Sequence, residues 1–162
     1  MLQQLLSVQN LEIFGQLALA TVLGALIGLE RELARKTAGM RTFALVALGS
    51  ALFTIISLVA FEGFRGTSFD PSRIASQIVV GIGFIGGGSI IFSQSRVKGL
   101  TTAAGLWVSA AIGMAVAYKF YAIAIFTTLL TIFVLVFMWF IEHRIIKRLG
   151  HLAAHDDDSE DR

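Results

Sequence analysis

The densest cluster of chemistry-bearing side chains is the Glu-Arg-Glu run at residues 30–32, which follows directly on a long apolar stretch. Glu32 stands at helical spacing from two basic residues, Arg35 and Lys36, and is expected to pair with one of them. Glu30 lies closer to the apolar stretch, where a carboxylate needs a partner, and Arg41 is the best candidate. The alternative is an ordinary cap of charges that reach out of the membrane to its interface.

A second polar group belongs to the segment that begins at Asp70-Pro71. Asp accepts a hydrogen bond from a first-turn amide and Pro lacks an N–H, so the pair predicts the start of a helix. Arg73 and Gln77 lie four residues apart on that helix. Gln77 is predicted either to bond a neighbouring helix or to belong to a polar path through the membrane.

Glycines dominate the middle of the same segment. Residues 81–86 formally match the GxGxxG fingerprint of dinucleotide sites, but they lie inside an uncharged stretch with no acidic residue near twenty positions on, so a nucleotide site is not predicted. The run Gly86-Gly87-Gly88-Ser89 indicates either close helix packing or a locally broken helix that lines a cavity.

Other kinds of chemistry find little support. The chain has no cysteine, and it contains no serine-triad arrangement, HExxH motif or P-loop. We therefore expect no enzyme activity, no cofactor and no dedicated metal site. The tail at 150–162 holds two histidines and five carboxylates, which could bind a divalent ion loosely, although an acidic disordered tail is the other interpretation. The net charge of +2 does not favour nucleic acid as a partner.

The elements that carry these residues are predicted to be membrane helices. Apolar residues make up 56% of the chain and charged residues 15%, against about 25% charged in soluble domains. About 20 apolar residues cross a bilayer as a helix, and five uncharged stretches approach or exceed that length, giving predicted spans at 11–29, 42–61, 74–95, 99–118 and 120–141. We therefore predict an all-α membrane protein in which residues 1–149 form one five-helix transmembrane domain.

Basic residues predict the orientation. Alternate loops hold ten Lys and Arg residues on one side and three on the other, which places the N-terminus outside and the C-terminus in the cytoplasm. The amino ends of the second and fourth spans then lie beside basic residues on the cytoplasmic side, where they either bind an anion or lipid headgroup or carry ordinary positive-inside charge. A shift of sixty residues aligns Gly28 with Gly88 and Thr42 with Thr102, so a parallel two-helix repeat stays open.

Small residues at four-residue spacing indicate which helices pack closely. The fourth span carries an unbroken stripe of Thr101, Gly105, Ser109, Gly113 and Ala117. The first span carries Ala20, Gly24 and Gly28, and the third carries Gly83 and Gly87. The fifth span is bulky and is expected at the rim, whereas Trp107 is expected to be buried against the small-residue helices. Thr42 and either Thr101 or Thr102 are expected to cap their helices.

Four blocks, taken in order, resemble the signature of the MgtC/SapB family. They cover residues 28–32, 38–46, 81–88 and 97–104, and the likeness extends over roughly residues 15 to 120. By position, the motif residues of the family map onto Glu30, Arg31, Glu32, Gly39, Arg41, Thr42, Asp70, Arg73, Gln77, Gly81, Gly83, Gly86, Gly88, Thr101, Thr102 and Trp107.

The resemblance implies a multi-pass protein of the bacterial inner membrane. It implies a regulatory role in adaptation to low magnesium, acid or host stress, including virulence, through contacts with other membrane proteins such as the F-type ATP synthase, or with further copies of itself. The namesake carries a cytoplasmic carboxy-terminal domain where this chain has a short acidic tail. The alternative is a transporter of a small solute or ion with a polar path along the third helix.

Overall fold

The computed structural model describes residues 8–59, 70, 72–93, 96–141 and 144. This part of the chain forms five helices and one antiparallel hairpin, namely α1 (Val8–Leu33), α2 (Met40–Val59), α3 (Ser72–Gly88), β1 (Ile91–Ser93), β2 (Arg96–Lys98), α4 (Leu100–Ala117) and α5 (Tyr121–Ile141). The acidic tail at 150–162 and the loop at 60–69 lie outside the described residues.

Four of these helices, α1, α2, α4 and α5, are long and apolar enough to cross a membrane. The largely helical membrane-protein architecture is therefore confirmed. Helix α3 has 17 residues, which is about 25 Å of helix against a hydrocarbon core of about 30 Å. A fifth span, the orientation of the chain and the internal repeat stay predictions.

The predicted third span is wrong in its last part. Helix α3 ends at Gly88 rather than continuing to residue 95, and β1 pairs with β2 immediately afterwards, with Phe92 opposite Val97. Gly99 closes this hairpin against the start of α4 with a φ of 96°, and a Cβ there would lie 2.0 Å from the backbone oxygen of Ser89. Only glycine fits at position 99. The glycine run at 86–88 therefore lies at a helix end, which agrees with the predicted alternative of a broken helix.

The core lies where α1, α2 and α4 meet. A Cβ added to Gly24 would lie 2.6 Å from the Phe43 carbonyl oxygen, and one added to Gly28 would lie 2.6 Å from the Met40 Cα. Helix α4 also approaches α2 closely, because a Cβ on Gly113 would lie 2.2 Å from the Ala47 oxygen. Backbones this close gain dense van der Waals contact, which drives helix association in lipid.

The small-residue stripe of α4 is packed within the bundle, as predicted, for four of its five members. Gly105, Ser109, Gly113 and Ala117 are buried, and the Ser109 hydroxyl donates to the Phe43 carbonyl at 3.0 Å. Thr101 is exposed and Thr102 is buried in its place. A four-residue step overshoots a helical turn by about 40°, so the stripe drifts away from the interface before it reaches Thr101.

Two helix ends place a basic residue in the left-handed region. At the end of α1, Arg35 has a φ of 53° and the Lys36 amide donates to the Arg31 carbonyl at 3.0 Å. At the end of α4, Lys119 has a φ of 64° and the Phe120 amide donates to the Ala115 carbonyl at 2.9 Å. Both bonds run back five residues, as in a Schellman cap, and reverse the chain tightly after each helix.

Helix α5 lies at the rim, as its bulky residues predict, because only Ala124 and Thr128 on it are buried. Helix α3 is similarly peripheral, with Ile82 and Gly86 as its buried residues. It leans on α4 at Gly86, where an added Cβ would lie 3.5 Å from the Ala103 Cβ. An open groove separates it from α2 and runs along α2 from Arg41 to Phe53.

Candidate functional site

The first part of the site is an ion pair at the carboxyl end of α1. Arg31 is only 3% exposed and donates from Nε and Nη2 to both carboxylate oxygens of Glu30, with Nη2 2.6 Å from Oε1. The predicted pairing of Glu30 with Arg41 is therefore wrong. Met40 and Phe43 face α1, and a step of one residue turns a helix by about 100°, so Arg41 points away from Glu30.

Glu32 also has a different partner from the one predicted. Its Oε2 accepts a hydrogen bond from the Met40 amide at 3.0 Å, rather than pairing with Arg35 or Lys36. The carboxylate thus caps the amino end of α2, where backbone N–H groups lack helical acceptors and favour negative charge. Gly39 makes the cap possible, because a Cβ there would lie 2.8 Å from Oε2 of Glu32.

The second part of the site is the α2–α3 groove, a cavity of about 770 Å³ between those two helices. Its lining includes four of the residues predicted from the sequence, Arg41, Thr42, Gln77 and Gly81. Arg41 and Thr42 lie at its end nearest the start of α2, and both are exposed. Gln77 is exposed in the wall of this groove, which fits the predicted alternative of a polar path better than a bond between packed helices. Thr42 was predicted to cap α2 and lies in its first turn. The cap on the Met40 amide is Glu32.

The opposite side of α3 carries a second exposed face, which we call the glycine face, made of Ser76, Val80, Gly83 and Gly87. These residues repeat at helical spacing and point about 180° away from the groove-lining Ile78, Gly81 and Ile85. A Cβ added to Gly83 or Gly87 would meet nothing within 4 Å. The prediction that these two glycines pack within the fold is therefore wrong. Gly88 is open in the same way, and Gly86 is the glycine that packs on α4.

Asp70 begins α3 as predicted. Its Oδ1 accepts from the Ser72 amide at 2.9 Å, and its carbonyl accepts from the Arg73 amide at 3.2 Å. Hydrogen bonds from the Ser72 side chain and amide, with a smaller contribution from the Arg73 charge, hold the pKa of Asp70 below its usual value. Arg73 itself is exposed, and Gln77 reaches the groove without it.

The remaining predicted residues lie on α4. Gly99 occupies its N-cap position without a side-chain hydrogen bond, so neither Thr101 nor Thr102 caps it. Trp107 is 52% exposed, and its predicted burial is wrong. It lies midway between Gly105 and Ser109, which both face α2, and therefore points outward.

Two further contacts were missed by the sequence analysis, both at the end of the bundle far from Arg31. Gln16 is 4% exposed and its Nε2 donates to the carbonyls of Val116 and Ala117, at 3.0 and 3.1 Å. Glu12 pairs with Lys119 at 2.7 Å. An amide side chain inside an apolar span was a usable signal for Gln16, because such groups are costly in lipid unless bonded.

The groove and the glycine face give this arrangement two surfaces suited to binding. Within the described ranges, no three histidine, aspartate or glutamate side chains come together as a metal site would require. The carboxylate of Glu30 binds the Arg31 guanidinium, and one carboxylate oxygen of Glu32 accepts from the Met40 amide. The groove has a long, largely apolar wall with the Arg41 guanidinium at its end. The glycine face leaves room for the close approach of another helix.

Comparisons with known proteins agree with the four sequence blocks. The family model described as "MgtC family" matches residues 17–144. The chain is 41% identical over 140 residues to "Putative magnesium transporter YhiD" of Escherichia coli (strain K12), covering 85% of this chain and 65% of that protein. It is 38% identical over 151 residues to "Protein SapB" of Bacillus subtilis (strain 168), covering 91% and 63%.

A third relative is "Protein MgtC" of Salmonella typhimurium (strain LT2), which is 52% identical over 96 residues, 59% of this chain and 38% of that protein. The chain thus spans less than two thirds of the length of each of these relatives. No solved structure matches it.

Proposed function

Because the chain belongs to the MgtC family, we propose that it is a multi-pass protein of the bacterial inner membrane that regulates another membrane protein by binding one of its helices. In this proposal it has no enzyme activity, its N-terminus lies outside, and the F-type ATP synthase is the candidate partner under low magnesium or acid stress. The partner and the role come from the family resemblance. The geometry of α3 supports the proposed place of binding.

The observation that carries the proposal is the glycine face of α3. Gly83 and Gly87 lie four residues apart with open space over both, on a helix that the bundle holds through Ile82 and Gly86. Small residues at this spacing let two transmembrane helices approach until their backbones touch. Gly24 and Gly28 have the same spacing on α1, but backbone atoms of Phe43 and Met40 already cover them within the chain.

The state of the carboxylates supports regulation rather than magnesium carriage. Magnesium sites in proteins take one or two carboxylates and keep several waters. Glu30 is occupied by the Arg31 guanidinium and Glu32 by the start of α2. Releasing either one for a cation would leave Arg31 buried without its counter-charge or α2 without its cap.

The proposal is tested by photo-crosslinking in cells. A photoreactive residue at Val80, on the glycine face, is expected to capture a subunit of the F-type ATP synthase, and one at Leu129, exposed on α5, is not. Gly83→Leu fills the open face and should reduce that capture several-fold. Gly81→Leu is the matched control, because it also enters open space but on the groove side.

Two outcomes would contradict the proposal. One is capture of the same proteins from Val80 and Leu129, which would indicate random collision in the membrane. The other is capture that Gly83→Leu leaves unchanged, while the variant protein is present at the wild-type level.

A transporter is the second candidate, and the α2–α3 groove favours it. Arg41 and Gln77 line that groove together, and one relative carries a name describing a magnesium transporter. Flux of Mg²⁺ or small solutes into liposomes that contain the full chain tests this function. Substrate-dependent flux that Gln77→Leu abolishes would favour transport, and wild-type liposomes no leakier than empty ones would reject it.

A further inference from the structure

The α2–α3 groove has the dimensions of a lipid chain rather than of a solute pathway. It runs along α2 from Arg41 to Phe53, which is about 18 Å at the rise of an α-helix. One leaflet of the hydrocarbon core is about 15 Å deep. The groove is therefore about one leaflet long.

The walls of the groove are apolar and open to the side. Leu45 and Phe53 on α2, and Phe84 and Ile85 on α3, line it and are all exposed. Gly49 and Gly81 widen it, because a Cβ added to either would meet nothing within 4 Å. An acyl chain could enter laterally from the bilayer and lie between the two helices.

The polarity of the groove is asymmetric, and this decides which lipid it fits. Arg41 and Thr42 mark one end, in the first turn of α2, where backbone amides lack helical acceptors. Arg31 is neutralised by Glu30, and Glu32 is held by the Met40 amide. Among the described residues, no ion pair involves Arg41. A guanidinium beside a hydroxyl matches a phosphate, which it can bind through two parallel hydrogen bonds.

We propose that the α2–α3 groove binds an anionic phospholipid, with an acyl chain between the two helices and the phosphate at Arg41 and Thr42. The site is separate from the glycine face, since the two lie on opposite sides of α3. The bound lipid would fill the space between α2 and α3. Its contacts with both helices would hold α3 in position.

The test measures lipid retained by the full chain. The protein is purified from nanodiscs that contain equal amounts of phosphatidylglycerol and phosphatidylcholine with the same acyl chains, and the co-purified lipid is quantified by mass spectrometry. The wild type is expected to retain phosphatidylglycerol about fivefold over phosphatidylcholine, which corresponds to about 1 kcal/mol for one basic residue at the membrane surface.

Four variants separate the contributions. Arg41→Gln should bring the ratio close to one, and Gly81→Leu should reduce the retention of both lipids by filling the groove. Arg96→Gln removes another exposed basic residue that does not line the groove, and should leave the ratio unchanged. Gly83→Leu should also leave it unchanged, so that failure of the partner-binding proposal and failure of this one are distinguishable.

Three results would overturn the proposal. They are equal retention of both lipids by the wild type, a preference that survives Arg41→Gln, and retention that Gly81→Leu does not alter. A photoreactive residue at Leu45 adds an independent readout. Capture of lipid there supports the site, and capture of a polypeptide in place of lipid refutes it.

Discussion

Replacement of Gly113 by alanine tests a close backbone approach between α2 and α4. The new Cβ would lie 2.2 Å from the Ala47 carbonyl oxygen, whereas ordinary contact begins near 3.4 Å. The obstructing atom belongs to the backbone of α2 and cannot rotate away, so α2 and α4 would have to separate by roughly 1 Å at this point. That shift would also stretch the hydrogen bond from Ser109 to Phe43, which is 3.0 Å long.

The size of the effect follows from three contributions. Overpacking typically costs about 1–3 kcal/mol, and a backbone obstacle places Gly113 near the upper value. Loss of the Ser109 bond costs about 0.6 kcal/mol in a membrane protein, and the better helix propensity of alanine returns about 1 kcal/mol. The net expectation is a loss of about 2–3 kcal/mol, or roughly a 30- to 150-fold change in the folding equilibrium.

Reversible unfolding in detergent micelles, followed by circular dichroism during titration with SDS, measures this change. Gly15→Ala is the matched control, because its Cβ would meet nothing within 4 Å, and it should be neutral or stabilising by up to about 1 kcal/mol. If Gly113→Ala unfolds at the same midpoint as Gly15→Ala, then α2 and α4 do not approach as described and the packing argument fails.

Three further perturbations have defined outcomes. Gln16→Leu removes the side-chain donor from the Val116 and Ala117 carbonyls at the end of α4 and should cost about 1–3 kcal/mol of unfolding free energy, although the Val116 carbonyl keeps its bond from the Lys119 amide. Gln77→Leu, at an exposed position, should leave the unfolding midpoint unchanged. Glu30→Gln and Arg31→Gln should be strongly non-additive in a double-mutant cycle, with a coupling of about 0.5–3 kcal/mol, and additive losses would show that the two do not pair. Because the pKa of Asp70 is lowered in the folded protein, its charge stabilises the fold fully above the ordinary value of 3.8, and this contribution is lost as the pH falls through the lowered pKa. The stability advantage of the wild type over Asp70→Asn should shrink below pH 3.8, and an advantage independent of pH would contradict the assignment.

The starts of α2, α4 and α5 were predictable to within two residues because each helix consists largely of one uncharged stretch, whereas the end of α3 was not predictable. Its stretch continues without charge to Ser95, so hydropathy alone extends the helix through Gly88. The helix ends earlier because the carbonyl of Ser89 lies against Gly99, ten residues later in the chain. A contact of this kind between two backbones leaves no mark in a hydropathy profile.

For the candidate site, the sequence predicted the residues but not their partners. The family resemblance pointed to Glu30, Glu32, Arg41 and Gln77 as candidate functional residues, but the partners of both glutamates were misassigned, because Glu30 pairs with Arg31 and Glu32 binds the Met40 amide. Arg31 reaches back to its own neighbour, against the usual rule that adjacent residues on a helix diverge, because its long side chain is buried and needs the charge of Glu30.

The sequence alone was sufficient to establish the class of protein, since long apolar stretches and the order of the motif blocks are properties of the chain itself. Which glycines are packed and which are open was decided by the tertiary structure. Gly113 and Gly83 both belong to small-residue patterns with four-residue spacing. Gly113 nevertheless lies against the backbone of α2, whereas Gly83 faces open space. The physical reason is that contact depends on the distance and rotation of the neighbouring helix, and both are set only when all helices pack together.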